Sequence, residues 1–192
     1  MMQRPSVFIV GFSILLAGCS VSTQVTNTSR SAIEQRLLVG SLERALDARD
    51  IEQFKGKTVG VDFYGLTGDK EFAREFFTAW LQEHRARVTP DPQKAELRLK
   101  VFASALGVDK GQSFFGLPVL TVPVIGVTVP EIALYKSVRY RGRADVQIYT
   151  LDAANGEFVE KSPERAGETK YDDYTILVFI NYTRSDLDDQ DR

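Results

Sequence analysis

The chain of 192 residues has one cysteine and one histidine. A single cysteine forms no intrachain disulfide and builds no multi-cysteine metal site. A hydrolase of the Ser-His-Asp kind would have to use His84, the sole histidine. Neither sign of charge dominates: 24 Lys and Arg stand against 26 Asp and Glu, for a net charge of -2. That balance gives no global field for nucleic acid. No Walker loop, GxGxxG, GxSxG or HExxH is present, and there is no internal repeat. What is present is ordinary globular composition, 43% hydrophobic and 26% charged, which excludes full disorder and a polytopic membrane protein. The length predicts one domain, with room for an appendage.

The first charged side chain is Arg4 and the next is Arg30. Between them runs VFIVGFSILLA (7–17), too short for a membrane-spanning helix, which needs about 20 apolar residues. A positive start, a short apolar core and small residues after it make a secretory signal. Leu16-Ala17-Gly18-Cys19 resembles the bacterial lipobox. That resemblance implies cleavage between Gly18 and Cys19, a lipid-modified Cys19 thiol and an acylated amino group. Several acyl chains anchor a protein far better than one. The expected organisation is therefore a signal peptide (1–18), a lipidated tether (19–30), one domain (31–187) and an acidic tail (188–192). Losing Arg4 makes the mature chain one unit more negative. Ser20, where an Asp commonly retains lipoproteins in the inner membrane, favours the outer membrane by that family rule.

SVSTQVTNTS (20–29) is small and polar, as a tether should be. Ser31-Ala32-Ile33-Glu34 fits a capping box, and apolar residues from Ile33 to Leu46 recur at helical spacing, which predicts a helix over 32–49. TVGVDFY alternates and predicts a strand over 58–64. Phe72, Phe76, Phe77, Trp80 and Leu81 share one face of a second helix over 69–86, which should carry much of the core. A short strand is expected near 86–89. Residues 96–105 alternate most cleanly, with Phe102 the one aromatic on the polar side. A strand is expected over 133–152, a turn at Asn155-Gly156 and a partner strand over 157–160. Residues 161–170 read as a loop. YTILVFINY (174–182) is apolar on both parities and fits a buried central strand better than a helix. The expected fold class is α+β, a mostly antiparallel sheet with two amphipathic helices on one face.

Residues 111–130 (GQSFFGLPVLTVPVIGVTVP) contain no charge. Pro118, Pro123 and Pro130 exclude a regular helix and a central strand over the whole stretch. It reads as an extended apolar loop or an irregular hairpin. Packed on the domain it is core; exposed, it marks a partner or membrane surface. The candidate contact residues are Phe114, Phe115, Leu117, Val119, Leu120, Val124 and Ile125.

Catalytic candidates are weaker. Asp62 and Asp69 could pair as carboxylates for acid–base work or a hard metal, but Asp69 suits a helix start and Asp62 a solvent face. His84 sits near a helix C-terminus with no nucleophile placed beside it by any motif. Gly60, Gly65 and Gly68 match no phosphate-binding spacing. Arg139, Arg141 and Arg143 alternate with Tyr135 on one strand face. They suit ion pairing across the sheet, or phosphate and acidic groups.

Three segments resemble a family of uncharacterised bacterial lipoproteins: TNTSRSAIEQRLLVGSLERAL (26–46), ALGVDKGQSFFGLPVLTVPVIG (105–126) with VPEIALYK (129–136), and YTILVFINYTRSDL (174–187). The resemblance implies a compartment and no activity. VGVDFYGLTGD (59–69) and ADVQIYTLDAANGEFVEK (144–161) are similar to motifs of curli-secretion-channel lipoproteins and of penicillin-binding-protein activator lipoproteins. In the channel type, apolar hairpins enter the outer membrane between these motifs. Here three prolines and a single apolar stretch depart from two alternating hairpins. The expectation is a non-enzymatic envelope lipoprotein, held at the membrane through Cys19 and facing the periplasm. It needs no metal or cofactor, binds no nucleic acid, and offers 111–134 to a possible envelope protein partner. The alternative is an oligomeric outer-membrane secretion or assembly component.

Overall fold

The computed structural model describes residues 30–122 and 126–187. The elements below all belong to the unit that begins at Ala32. Helix α1 (Ala32–Ala45) is followed by a 3₁₀ segment (Ala48–Phe54), strand β1 (Thr58–Gly65), helix α2 (Lys70–Glu83) and the short strand β2 (Arg87–Val88). Then come β3 (Leu97–Leu117), β4 (Leu120–Val122), β5 (Val127–Val129), β6 (Ile132–Asp152), β7 (Phe158–Lys161), β8 (Arg165–Ile176) and β9 (Ile180–Ser185). The main sheet runs β2-β1-β3-β6-β8-β9, with β7 beside β6. β1 pairs in parallel with β2 and β3, while β6 pairs antiparallel with β3 and β8. The α+β class read from the sequence is the observed one.

The core lies between the helices and the first half of β3 and β6. Val59, Ala73, Phe77, Leu81, Leu99, Val101, Val146 and Ile148 are buried together. Each large side chain removed from water there contributes about 1.5–3 kcal/mol. The core stripe of α2 is Ala73-Phe77-Leu81, with Phe76 and Trp80 partly buried at its flank. Phe72, expected on that stripe, is half exposed because it lies one position before Ala73.

α1 approaches the sheet backbone unusually closely. A Cβ at Gly142 would lie 2.6 Å from the Leu37 carbonyl oxygen, and one at Gly167 would lie 1.9 Å from that of Ser41. Only glycine fits under the helix there. The Thr169 hydroxyl, fully buried, donates to the Leu37 carbonyl at 2.8 Å. At the other end of α1, Arg44 reaches Asp186 at 2.8 Å, and Arg165 of β8 holds Asp50 through two 2.8 Å hydrogen bonds.

Several boundaries correct the sequence reading. The first helix ends at Ala45, and a 3₁₀ segment follows from Ala48. β3 does not stop near Ala105. It shifts register between Ala103 and Ala105 and continues for 21 residues, because β6 supplies hydrogen-bond partners along its whole length. Residues 161–170 are not all loop: β8 begins at Arg165 and pairs with Val146. The stretch 174–182 is not a buried central strand. It is the end of β8, a turn at 177–179 and the start of β9, with much of its apolar surface exposed. The 188–192 tail lies outside the described residues.

Candidate functional site: an apolar β arm

Beyond Gly107 in β3 and Arg143 in β6, no residue belongs to the apolar core cluster. The strands nevertheless continue, pairing from Gly107↔Arg143 to Leu117↔Ile132. At roughly 3.3 Å per residue, that is an arm of about 35 Å. β8 and β9 lie beside it, so the arm is four strands wide up to the Phe115, Tyr135, Ile176 and Ile180 row. Pro118 interrupts the path from β3 to β4, and Pro130 the path from β5 to β6. Each lacks the N–H that a ladder requires, and the β4–β5 hairpin forms its own two-stranded sheet.

The arm gathers the exposed apolar surface. Thirteen of the nineteen large hydrophobic residues that are exposed among the described residues lie on it. Phe115, Leu117, Val119 and Leu120, four of the candidates, are exposed, and Phe114 is half-buried. Val124 and Ile125 lie outside the described residues, as do Gly18 and Cys19. The sequence reading missed the second half of this surface. Leu177, Val178 and Phe179 close the β8–β9 hairpin, and the Leu177 and Val178 N–H groups donate to the carbonyls of Leu134 and Ala133. The chain thus has two neighbouring apolar hairpins where the sequence predicted one. The signal for the second was the apolar run on both parities in 174–182, with no period to say whether it was buried.

That second turn is strained. Leu177 has φ +49° and Val178 φ +73°. A β-branched residue in this region is a rare outlier, costing of order 1–3 kcal/mol. Asn-Gly would fit without strain. Both side chains are about half exposed and Phe179 is 78% exposed, so packing within the chain does not explain them.

Behind the apolar end the arm is aromatic and then cationic. Tyr174 and Tyr182 stack at 4.7 Å, and Tyr140 meets Tyr171 edge-on at 6.1 Å. Arg141 forms a forked ion pair with Asp172, its second bond 3.1 Å long. That hydrogen bond raises the Arg141 pKa above its ordinary value. Arg143 is held by Asp145 at 2.9 Å, and Arg139 donates to Ser113. The arginine stripe is therefore partly engaged in pairs within the sheet. A shallow cleft of about 450 Å³ opens beside it, lined by Arg141, Lys170, Asp172, Arg184, Ser185 and Asp186. Asp186 is raised by burial but more strongly lowered by the Lys170 N–H and by Arg44, leaving its pKa below the ordinary aspartate value.

The catalytic candidates are dispersed among separate partners. Asp62 accepts from Arg98 at 2.5 Å, Asp69 accepts from the Thr67 hydroxyl at 3.1 Å, and His84 Nδ1 lies 2.8 Å from the Trp80 carbonyl. The cleft beside Asp62 and Arg98 is about 100 Å³, well under the roughly 300–1,000 Å³ of ordinary ligand pockets. Among the described residues no group of three or more His, Cys, Asp or Glu could hold a metal. Phe102, the aromatic on the polar face, stacks on Tyr64 at 5.1 Å and meets Tyr149 edge-on at 5.4 Å.

No protein-family model matches the chain, and no curated protein matches it. Among solved structures, it is similar to the crystal structure of lipoprotein GNA1162 from Neisseria meningitidis. The TM-score is 0.31 at 10% identity, over 59% of this chain and 82% of the other. At that level the likeness carries no argument about function. Among the described residues, no helix is long and apolar enough to cross a membrane.

Proposed function

We propose that this chain is a lipid-anchored lipoprotein of the bacterial envelope that works as a non-catalytic binding module. Cys19 carries the lipid, the outer membrane is its site, and the arm is its contact surface. The observation that carries the reading is the arm itself: a sheet that leaves the core behind, continues for about 35 Å and carries thirteen of the nineteen exposed large hydrophobic residues among the described residues. A protein without a partner for this surface would carry an aggregation liability. The lipobox-like Leu16-Ala17-Gly18-Cys19 supports the anchor.

Two measurements test the proposal. Cys19→Ser should abolish incorporation of a labelled fatty acid and release the protein from the membrane fraction; a labelled Cys19→Ser protein overturns the anchor. A photo-crosslinking residue at position 179 should give an adduct in cells, whereas one at Gln82 on α2 should not. Equal labelling at the two positions overturns the contact surface.

A second reading, an oligomeric secretion or assembly component, is favoured by one observation. Beyond Ala103, β3 has no strand on its outer side among the described residues, and β9 likewise ends the sheet. Free edges invite pairing between copies. A large discrete ring from mild detergent supports this reading, and a monomer sinks it.

A further inference from the structure

Resting on the reading of the arm as the contact surface, we infer that its tip docks on the surface of a lipid bilayer carrying anionic headgroups. The arm is stratified along its strands, and the strata are in register across them. The row of Phe115, Tyr135, Ile176 and Ile180, with the Leu177–Phe179 turn beyond it, is apolar apart from one tyrosine hydroxyl. Two residues back, the row is Ser113, Ser137, Tyr174 and Tyr182. Two further back it is Gly111, Arg139, Asp172 and Arg184, followed by Lys110 and then Arg141 with Lys170. Each two-residue step is about 7 Å, close to the roughly 5–8 Å depth of one headgroup layer. Five of the chain's seven tyrosines lie on this arm, at positions 135, 140, 171, 174 and 182. Amphipathic rings concentrate at the boundary between lipid and water, and cations behind them meet lipid phosphates. Among the described residues no carboxylate lies within ion-pair distance of Lys110, Arg139, Lys170 or Arg184. Near the apolar end the charged pair Lys136 and Glu131 neutralises itself at 2.7 Å.

A protein groove could grip the tip, but it imposes no layering like that of β9, where Ile180, Tyr182 and Arg184 follow one another from the tip, with Tyr174 in the second row and Arg139 in the third, beside Asp172. A bilayer surface does. The strained Leu177-Val178 turn places three apolar side chains at the extremity that a polar turn would leave wet. Depth is limited by the free edges of β3 and β9, whose unpaired backbone groups cannot enter hydrocarbon. A single copy therefore docks at the level of the headgroups and the first acyl carbons.

The test uses the lipidated full chain, whose acylated Cys19 leaves an introduced cysteine as the only thiol. Phe179→Cys and, as a control, Gln82→Cys are labelled with an environment-sensitive fluorophore. Each is reconstituted in vesicles of phosphatidylethanolamine and phosphatidylglycerol containing lipids spin-labelled at graded depths. The probe at 179 should be quenched most by labels near the top of the acyl chains, and the probe at 82 should not be quenched. Replacing phosphatidylglycerol with neutral lipid, or introducing Arg139→Gln with Arg184→Gln, should lower the docked fraction. Each lost cation should weaken docking about fivefold, with the circular dichroism spectrum unchanged. An unquenched probe at 179 overturns the inference, and quenching greatest at the bilayer centre overturns the limited depth. A protein adduct at 179 in cells without lipid quenching defeats the lipid surface and leaves the contact-surface reading standing. No adduct and no quenching defeats both.

Discussion

β3 and β6 each pass through two environments. Between Ala144 and Thr150, alternate β6 residues are buried and the intervening ones half-exposed, because α1 and α2 cover one face. From Ile132 to Tyr135 the same strand exposes Ile132, Leu134 and Tyr135, with only Ala133 buried. The hydrogen-bond ladder is nearly continuous through both halves. The ladder therefore carries both strands well past the apolar core. What differs is the source of stability: apolar transfer and packing in the body, cross-strand pairs such as Tyr174–Tyr182 in the arm.

Substitutions can break that contrast. The largest effect belongs to the body: Phe77→Ala, at a fully buried site, should cost about 3–5 kcal/mol by denaturant unfolding. Phe179→Ala should stay within about 0.5 kcal/mol; a loss comparable to that of Phe77→Ala would show a packed tip instead. Gly167→Ala should cost about 1–3 kcal/mol or more, since the added carbon meets the Ser41 carbonyl at 1.9 Å. The same change at Gly111 meets nothing within 4 Å and should be nearly neutral. Val178→Gly relieves a left-handed backbone and should stabilise the fold by up to about 1 kcal/mol. It should also weaken any contact made by the tip, so the unfolding midpoint and vesicle docking should move in opposite directions.

The smallest effect is a pH dependence where the arm's last strand joins α1. Asp186 has a folded pKa below its ordinary 3.8. Its contribution is therefore present above that value and is lost as pH falls through it toward the lower folded value. Asp47, held near 2 chiefly by the Arg49 side-chain hydrogen bond, adds a loss in the same direction. Asp186→Asn should flatten part of the fall in unfolding midpoint on acidification, and an unchanged profile would remove Asp186 from the clamp.

Much of the body was legible because its elements are two-sided. Leu99, Val101 and Ala103 alternate with charged or aromatic neighbours, and Ala73, Phe77 and Leu81 recur at helical spacing; one wet face and one dry face impose a period on the residues. The arm obeys no such rule. Val108, Asp109 and Lys110 continue β3 without alternation. A sheet with no core over it needs only partners for its N–H and C=O groups, and those partners lie far away in the sequence. The uncharged run at 111–130 announced an unusual surface, and its four outward candidates are exposed. The Leu177–Phe179 turn beside it went unread, because an apolar run without a period fits a buried strand and an exposed tip equally well.

The sequence by itself determined the α+β class, the periodic helices and strands of the body, and the lipobox-like start that points to an anchor. These depend on local spacing and residue chemistry, which a linear reading contains. Only the tertiary structure decided that two separate apolar segments meet at one end of a sheet, and that tyrosines and cations fall into rows behind them. Rows across strands are set by register between residues tens of positions apart, and burial is set by what lies above a residue.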